Sequence, residues 1–223
     1  MLDERTEILI DTTTPFQRVT IAVTPEYGKC LFLDGDLQSA ESDQGQYHSA
    51  LVCPAFKFNP RIKTALILGG GEGATAKQIL KQPTVEKVTM VDIDPGLVAI
   101  CKEYLPQWHQ GAFDDPRLKL HYEDAGKFVQ QSKEHYDLIV WDLTDPYRWQ
   151  NRDSTPSTNL YSLNFFRVLG SHLEEGGLLS VEYAYRNRYL LARLLEGFAK
   201  VYRRDVYIPS FEEKWIFALM TAK

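Results

Sequence analysis

A chain of 223 residues, 44% of them hydrophobic, can bury a full core and fits one main domain with a small addition. Its net charge of −5 and dispersed lysines and arginines exclude a nucleic-acid partner, because phosphate recognition needs concentrated positive charge. No apolar run approaches the roughly 20 residues that span a bilayer, so no membrane partner is expected.

Three widely spaced cysteines, Cys30, Cys53 and Cys101, include no CxxC pair. Neither a zinc site nor a disulfide framework is indicated, and a reducing cytoplasm is the expected setting. The opening MLDERTEILI is charged at once and predicts no signal peptide.

In chain order, Glu7–Ile10, Arg18–Val23 and Cys30–Leu33 read as short strands, with turn signals at Pro25-Glu26-Tyr27-Gly28 and Asp34-Gly35. A polar stretch from Gln38 leads into a helix ending before Pro60. Residues 1–52 are therefore expected to form a small β unit and linker, and 53–223 the main domain. From Lys63 strand and helix alternate: strands at Thr64–Leu68, Lys87–Ile93, Lys119–Tyr122 and Tyr136–Trp141, helices at Thr75–Lys81, Gly96–Tyr104 and Gly126–Gln131. A long polar segment between Pro146 and Asn159 reads as a lid or a surface insertion. Then follow a helix at Leu163–Leu173, a strand at Leu178–Glu182 and a helix at Tyr189–Val201. A hairpin of Arg204–Ile208 and Trp215–Thr221 closes the chain. Alternating βα units imply an α/β fold with a mostly parallel sheet covered on both faces. The antiparallel last strand matches Rossmann-like, class I methyltransferase-type domains.

Ligands of open α/β sheets bind outside the carboxyl ends of the strands. The residues there are acidic: Glu72 after the first strand of the main domain, Asp92 and Asp94 after the second, Asp124 after the third, Asp142 and Asp145 after the fourth. Asp94 and Asp124 also suit helix N-caps. Asp92 follows Gly71 by 21 residues, close to the spacing of a ribose-binding acid. The glycine loop Gly69-Gly70-Gly71-Glu72-Gly73-Ala74 satisfies G-x-G-x-x-A, yet Glu72 would repel a diphosphate. It suits a nucleoside whose tail is cationic. Magnesium or calcium is the alternative use of clustered acids, but no known loop spacing is present and no metal is expected. A primary amine, with a pKa of about 10.4, must lose a proton before it attacks carbon, and a row of carboxylates binds, aligns and deprotonates it.

The combination Leu33-Asp34-Gly35-Asp36-Leu37-Gln38, Glu41-Ser42-Asp43, Tyr47-His48, the glycine loop and Asp142-Leu143-Thr144-Asp145-Pro146 resembles the spermidine synthase (polyamine aminopropyltransferase) family, from about Thr12 onward. The resemblance implies decarboxylated S-adenosylmethionine as co-substrate, an amine acceptor such as putrescine, and a homodimer or homotetramer. By motif position it implies that Gln17, Gly69, Gly71, Asp92, Asp124 and Ala125 bind the donor's methylthioadenosine part. Glu72, which replaces an aspartate, would hold the aminopropyl ammonium. His48 and Asp145 would contact the acceptor, and Asp142 would take its proton. The chain departs from the pattern at Ser49, at Gln44-Gly45, at Ala125, at Tyr147-Arg148-Trp149 and at Phe211-Glu212-Glu213-Lys214, and its β unit starts late. Most departures lie on the acceptor side. A methyltransferase on the same scaffold and a non-catalytic nucleoside or polyamine binder are the competing readings. His109, His121, His135 and His172 read as surface or packing residues and Trp141 as core.

Overall fold

The computed structural model describes residues 4–144, 160–184 and 195–222. The chain opens with an antiparallel meander of β1 (Glu7–Thr13), β2 (Arg18–Thr24), β3 (Gly28–Leu33) and β4 (Asp36–Ala40). The β3–β4 hairpin turns on two residues, Asp34 and Gly35, both at positive φ. That is the conformation an Asp-Gly pair favours, because its twist matches the flanking strands. β4 was not expected: its sequence DLQSA is short and polar, and pairing with β3 rather than hydrophobic alternation makes it a strand.

Helix α1 (Gln44–Phe58) follows, running across residue 52, with Tyr47, His48, Leu51, Val52 and Ala55 buried along one stripe. The buried Ser180 hydroxyl donates to the Leu51 carbonyl at 2.5 Å and pins the helix to the large sheet. That sheet contains β5 (Thr64–Gly69), β6 (Lys87–Asp92), β7 (Leu118–Tyr122), β8 (Tyr136–Asp142), β9 (Leu173–Ala184), β10 (Phe198–Ile208) and β11 (Glu213–Ala222). Its order is β10-β11-β9-β8-β5-β6-β7, with β11 antiparallel to both neighbours and the other pairings parallel. The helices between strands are α2 (Ala74–Leu80), α3 (Pro95–Tyr104), a short α4 (Pro106–His109), α5 (Ala125–Gln131) and α6 (Leu163–Ser171).

Each central strand feeds two cores. On β5, Ala65 and Ile67 join the cluster under α1 and α2, while Leu66 and Leu68 join the cluster under α5 and α6. Near-continuous apolar strands are what a sheet covered on both faces requires. Trp141 lies in the second cluster, stacked on Tyr183 with ring centroids 5.5 Å apart. The small sheet packs Val19, Ile21, Leu31 and Leu33 against Leu97, Cys101, Leu105 and Trp108 of α3 and α4. The Trp108 indole donates to Ser39 Oγ across that seam at 2.8 Å.

Two expectations are corrected. Residues Phe198 to Val201, read as the end of a helix from Tyr189, belong to β10, and 195–197 form a 3-10 turn. The rest of that expected helix lies outside the described residues, as do Asp145 and the 146–159 segment. Leu173 begins β9 rather than ending α6. No helix among the described residues is long and apolar enough to cross a membrane.

Candidate active site

The carboxyl edge of the sheet, the glycine loop and the β3–β4 hairpin enclose a cavity of about 380 Å³. Of the residues expected at the site, Gln17, His48, Gly69, Gly71, Glu72, Asp92, Asp124, Ala125 and Asp142 all line it. Asp145 lies outside the described residues.

The loop needs its glycines because carboxylates lie against its backbone. Gly69, Gly70 and Gly73 have φ of +84°, +74° and +80°. A Cβ on Gly69 would fall 2.0 Å from the Asp142 carbonyl oxygen. One on Gly70 would meet Asp142 Oδ2 at 2.9 Å, and one on Gly71 would meet Asp92 Oδ2 at 2.8 Å. Bare backbone is thus the floor on which Asp92 and Asp142 rest. The Gly70 amide also donates to the Asp142 carbonyl at 3.0 Å, locking loop to strand.

Glu72 is engaged from below by α1. His48 Nε2 lies 3.0 Å from Glu72 Oε1, and His48 Nδ1 lies 2.6 Å from the Gln44 carbonyl oxygen. A carbonyl only accepts, so Nδ1 carries a proton; donation to ionised Glu72 requires one on Nε2 as well. The partners therefore favour an imidazolium. Burial alone would pull the imidazole down, but the Glu72 bond and charge, helped by Asp142, hold it above its ordinary value. Asp142 is itself pushed up to about 6, chiefly by burial and further by Glu72, while His48 and a hydrogen bond from Thr75 pull the other way. Burial likewise pushes Asp92 up to about 6, against the hydrogen bond its Oδ1 accepts from the Asp94 amide. Both acids are thereby stronger bases than ordinary carboxylates.

Asp94 turns away from the cavity. Its carboxylate caps α3 through the Gly96 and Leu97 amides at 3.0 and 3.1 Å. It also accepts from the Thr14 hydroxyl at 2.6 Å and the Gln17 amide at 2.9 Å, tying the β1–β2 connection to the large sheet. Gln17 thereby reaches the cavity wall with its amide nitrogen anchored. Asp124 caps α5 through the Lys127 amide at 2.9 Å while facing the cavity, so capping and lining coexist.

Sequence reasoning missed Glu182, Trp215 and Thr75. Glu182 is 5% exposed at the carboxyl end of β9, where it lines the cavity one strand beyond Asp142. The strand-end rule that found Asp142 names it too, because Glu182 ends the strand read at Leu178–Glu182. Trp215 on β11 packs edge-on to Tyr47 at 5.3 Å and walls the same end with Phe211. Ser210 beside them is bound through its amide and hydroxyl to Asp43, at 2.8 and 2.9 Å, fixing the 209–211 turn against the start of α1. Among the described residues no group of three His, Cys, Asp or Glu side chains is arranged to hold a metal.

A model described as the spermine/spermidine synthase domain matches residues 44–223, the whole of the large sheet and its glycine loop. The chain belongs to the spermine/spermidine synthase family. A second model, the spermidine synthase tetramerisation domain, matches residues 6–41, the four-stranded meander. A polyamine aminopropyltransferase of Sulfurisphaera tokodaii is 38% identical over 95% of this chain and 70% of its own. Polyamine aminopropyltransferase 2 of Pseudomonas aeruginosa is 39% identical over 95% of this chain and 61% of its own. A crystal structure of spermidine synthase in complex with the transition state analogue AdoDATO superposes with a TM-score of 0.85 at 25% identity, over 96% of this chain and 73% of that one. The Rossmann-like sheet with its N-terminal antiparallel unit is therefore the architecture of spermidine synthases.

Proposed function

We propose that this spermidine synthase relative transfers an aminopropyl group from decarboxylated S-adenosylmethionine to putrescine or a related polyamine, releasing methylthioadenosine. The carrying observation is that Glu72, Asp92 and Asp142 line one cavity at the carboxyl edge of the sheet, with burial pushing the Asp142 carboxyl above the ordinary range.

Asp92, Asp124, Ala125, Gln17 and the glycines Gly69 and Gly71 receive the nucleoside, Asp92 accepting from the ribose hydroxyls. Glu72 receives the ammonium of the aminopropyl chain. His48, assigned by motif position to the acceptor, lines the cavity and also engages Glu72 Oε1. The acceptor amine arrives protonated, is drawn in by the acids, and gives a proton to Asp142, which frees the lone pair that then attacks. A nitrogen–carbon bond forms at the aminopropyl carbon attached to sulfur. The carbon–sulfur bond breaks, and its electron pair neutralises the sulfonium. Alignment supplies most of the acceleration in such a displacement. A base titrating near the working pH combines availability with proton affinity. Asp145, the next acid along the Asp142 turn, is assigned to the acceptor beside Asp142.

Intact S-adenosylmethionine carries a carboxylate where the decarboxylated donor has none. Two like charges about 4 Å apart repel by ~4 kcal/mol at an effective dielectric of 20. The His48 imidazolium offsets part of this, leaving a preference for the decarboxylated donor. Three free cysteines, two of them buried, fit a reducing cytoplasm. The match of residues 6–41 to a tetramerisation domain supports a homodimer or homotetramer built through the meander.

The test is a product screen by mass spectrometry, offering both sulfonium donors with a panel of diamines and polyamines. Methylthioadenosine together with an aminopropylated amine is expected. S-adenosylhomocysteine from the intact donor would instead support a methyltransferase.

A further inference from the structure

Thr75, in the first turn of α2, is fully buried and has no part in the transfer chemistry described so far. Its hydroxyl donates to Asp142 Oδ2 at 2.6 Å. Backbone closes in on the same oxygen: the position a Cβ would take on Gly70 is 2.9 Å from Oδ2. One oxygen of the base is thus enclosed between a hydroxyl and bare backbone, on a residue whose main chain is already held by the Gly70 amide. Asp142 lines the cavity, and with Oδ2 taken up by Thr75 its Oδ1 is the oxygen left, in this proposal, to meet the substrate.

We propose that Thr75 is a positioning residue for aminopropyl transfer, its hydroxyl holding Oδ2 of Asp142 so that Oδ1 takes the proton of the attacking amine. This rests on the aminopropyltransferase reading above. In the step, the amine nitrogen bonds to the aminopropyl carbon, the carbon–sulfur pair returns to sulfur, and the N–H proton passes to Oδ1. Thr75 keeps its own proton throughout. Its bond to the ionised carboxylate is stronger than its bond to the neutral acid, so it also favours the form that acts as base.

That second effect adds to the pull of His48 on Asp142, against burial and Glu72. His48 of α1 favours the ionised form, whereas burial and Glu72 of the glycine loop oppose it. Asp92 at the end of β6 is a further acid within electrostatic reach, and Glu182 at the end of β9 lines the same cavity. Without the Thr75 donor, two or three negative neighbours and a dry environment face a single imidazolium.

The experiment compares Thr75→Val, which swaps the hydroxyl for a methyl at constant volume, with Thr75→Ser, which keeps the hydroxyl. For Thr75→Val the acidic limb of the kcat–pH profile should move up by about one to two pH units, since a hydrogen bond to a charged group carries that much preference. kcat at pH 7 should then fall about two- to tenfold and recover towards pH 9, with the donor KM unchanged. Thr75→Ser should keep the unaltered chain's profile. The carboxyl titration of Asp142, followed by carbon-13 NMR in the same proteins, should shift by the same amount and needs no turnover. A Thr75→Val profile and titration that coincide with those of the unaltered chain would overturn the proposal. So would an equal loss at every pH in both variants, the mark of a packing role. Failure of the unaltered chain to release methylthioadenosine with any amine would instead overturn the aminopropyltransferase reading, and the NMR comparison still decides how Thr75 acts on Asp142.

Discussion

Asp92 and Asp142 are carboxylates kept dry, and the fold carries a penalty for them. For Asp92 the titration moves from 3.8 to about 6 on burial. A raised carboxyl pKa means the native state resists ionisation. The penalty is therefore absent below about pH 4, grows between 4 and 6, and is complete above 6. Two units correspond to roughly 2–3 kcal/mol at most. Asp92→Asn, which retains an acceptor for the Asp94 amide, should stabilise the protein by ~1–2 kcal/mol at pH 8 and not at all at pH 3.5. Urea denaturation at the two pH values measures this, and equal stability at pH 8 would contradict it. Nucleoside affinity should fall in the same variant. A second residue-scale expectation concerns Glu72→Gln, which removes the charge proposed to receive the aminopropyl ammonium. The ratio of kcat/KM for the decarboxylated over the intact donor should fall at least about tenfold, of the order one screened charge contact contributes. An unchanged ratio would show that Glu72 does not select the donor. Glu72, Asp92, Asp124 and Asp142 were legible in the sequence because the sheet rule names a strand-end residue whatever surrounds it, and Glu182 was passed over although the same rule names it. What surrounds each was not legible. Asp94 accepts from Thr14 and Gln17, which lie 80 and 77 residues away in sequence, and nothing local foretells that convergence.

At the scale of elements, the glycine loop shows how local conformation and long-range packing agree. Gly69 combines a φ of +84° with a backbone oxygen 2.0 Å from any added Cβ. Gly176 of β9 has a similar φ, +74°, with no atom within 4 Å of that position. Gly176→Ala should then carry only conformational strain, about 1 kcal/mol, whereas Gly69→Ala should exceed ~3 kcal/mol and displace Asp142. Chemical denaturation of the pair separates strain from clash, and equal values would mean the loop yields. The main-domain strands through β8 were readable because apolar runs such as Leu66-Ile67-Leu68 serve two cores at once. β4 was not, because DLQSA has neither alternation nor β-branched bulk and owes its state to the Asp-Gly turn before it. The Phe198–Val201 stretch misled for a related reason. Phe198 packs into the core beneath α6 while Ala199 and Lys200 are exposed, a pattern that short windows assign as readily to a helix end.

Across the whole molecule, the acids form a line. From β6 through β5 and β8 to β9, neighbouring strands deliver Asp92, Glu72, Asp142 and Glu182 to one cavity. The meander closes the cavity from the opposite side with Leu33, Asp36, Leu37 and Gln38, carried on the same unit that matches the tetramerisation domain. The unit that matches the tetramerisation domain therefore also lines the cavity. The central claim is that this line of carboxylates grips a cationic amine and that Asp142 deprotonates it. Its most direct test is methylthioadenosine release from the decarboxylated donor at pH 7.5, for the unaltered chain and for Asp142→Asn, with nucleoside binding followed by calorimetry in both. The account predicts a fall in kcat of about a hundredfold or more, in the range a general base contributes, with methylthioadenosine affinity within about threefold. Turnover by Asp142→Asn within threefold of the unaltered chain would contradict it.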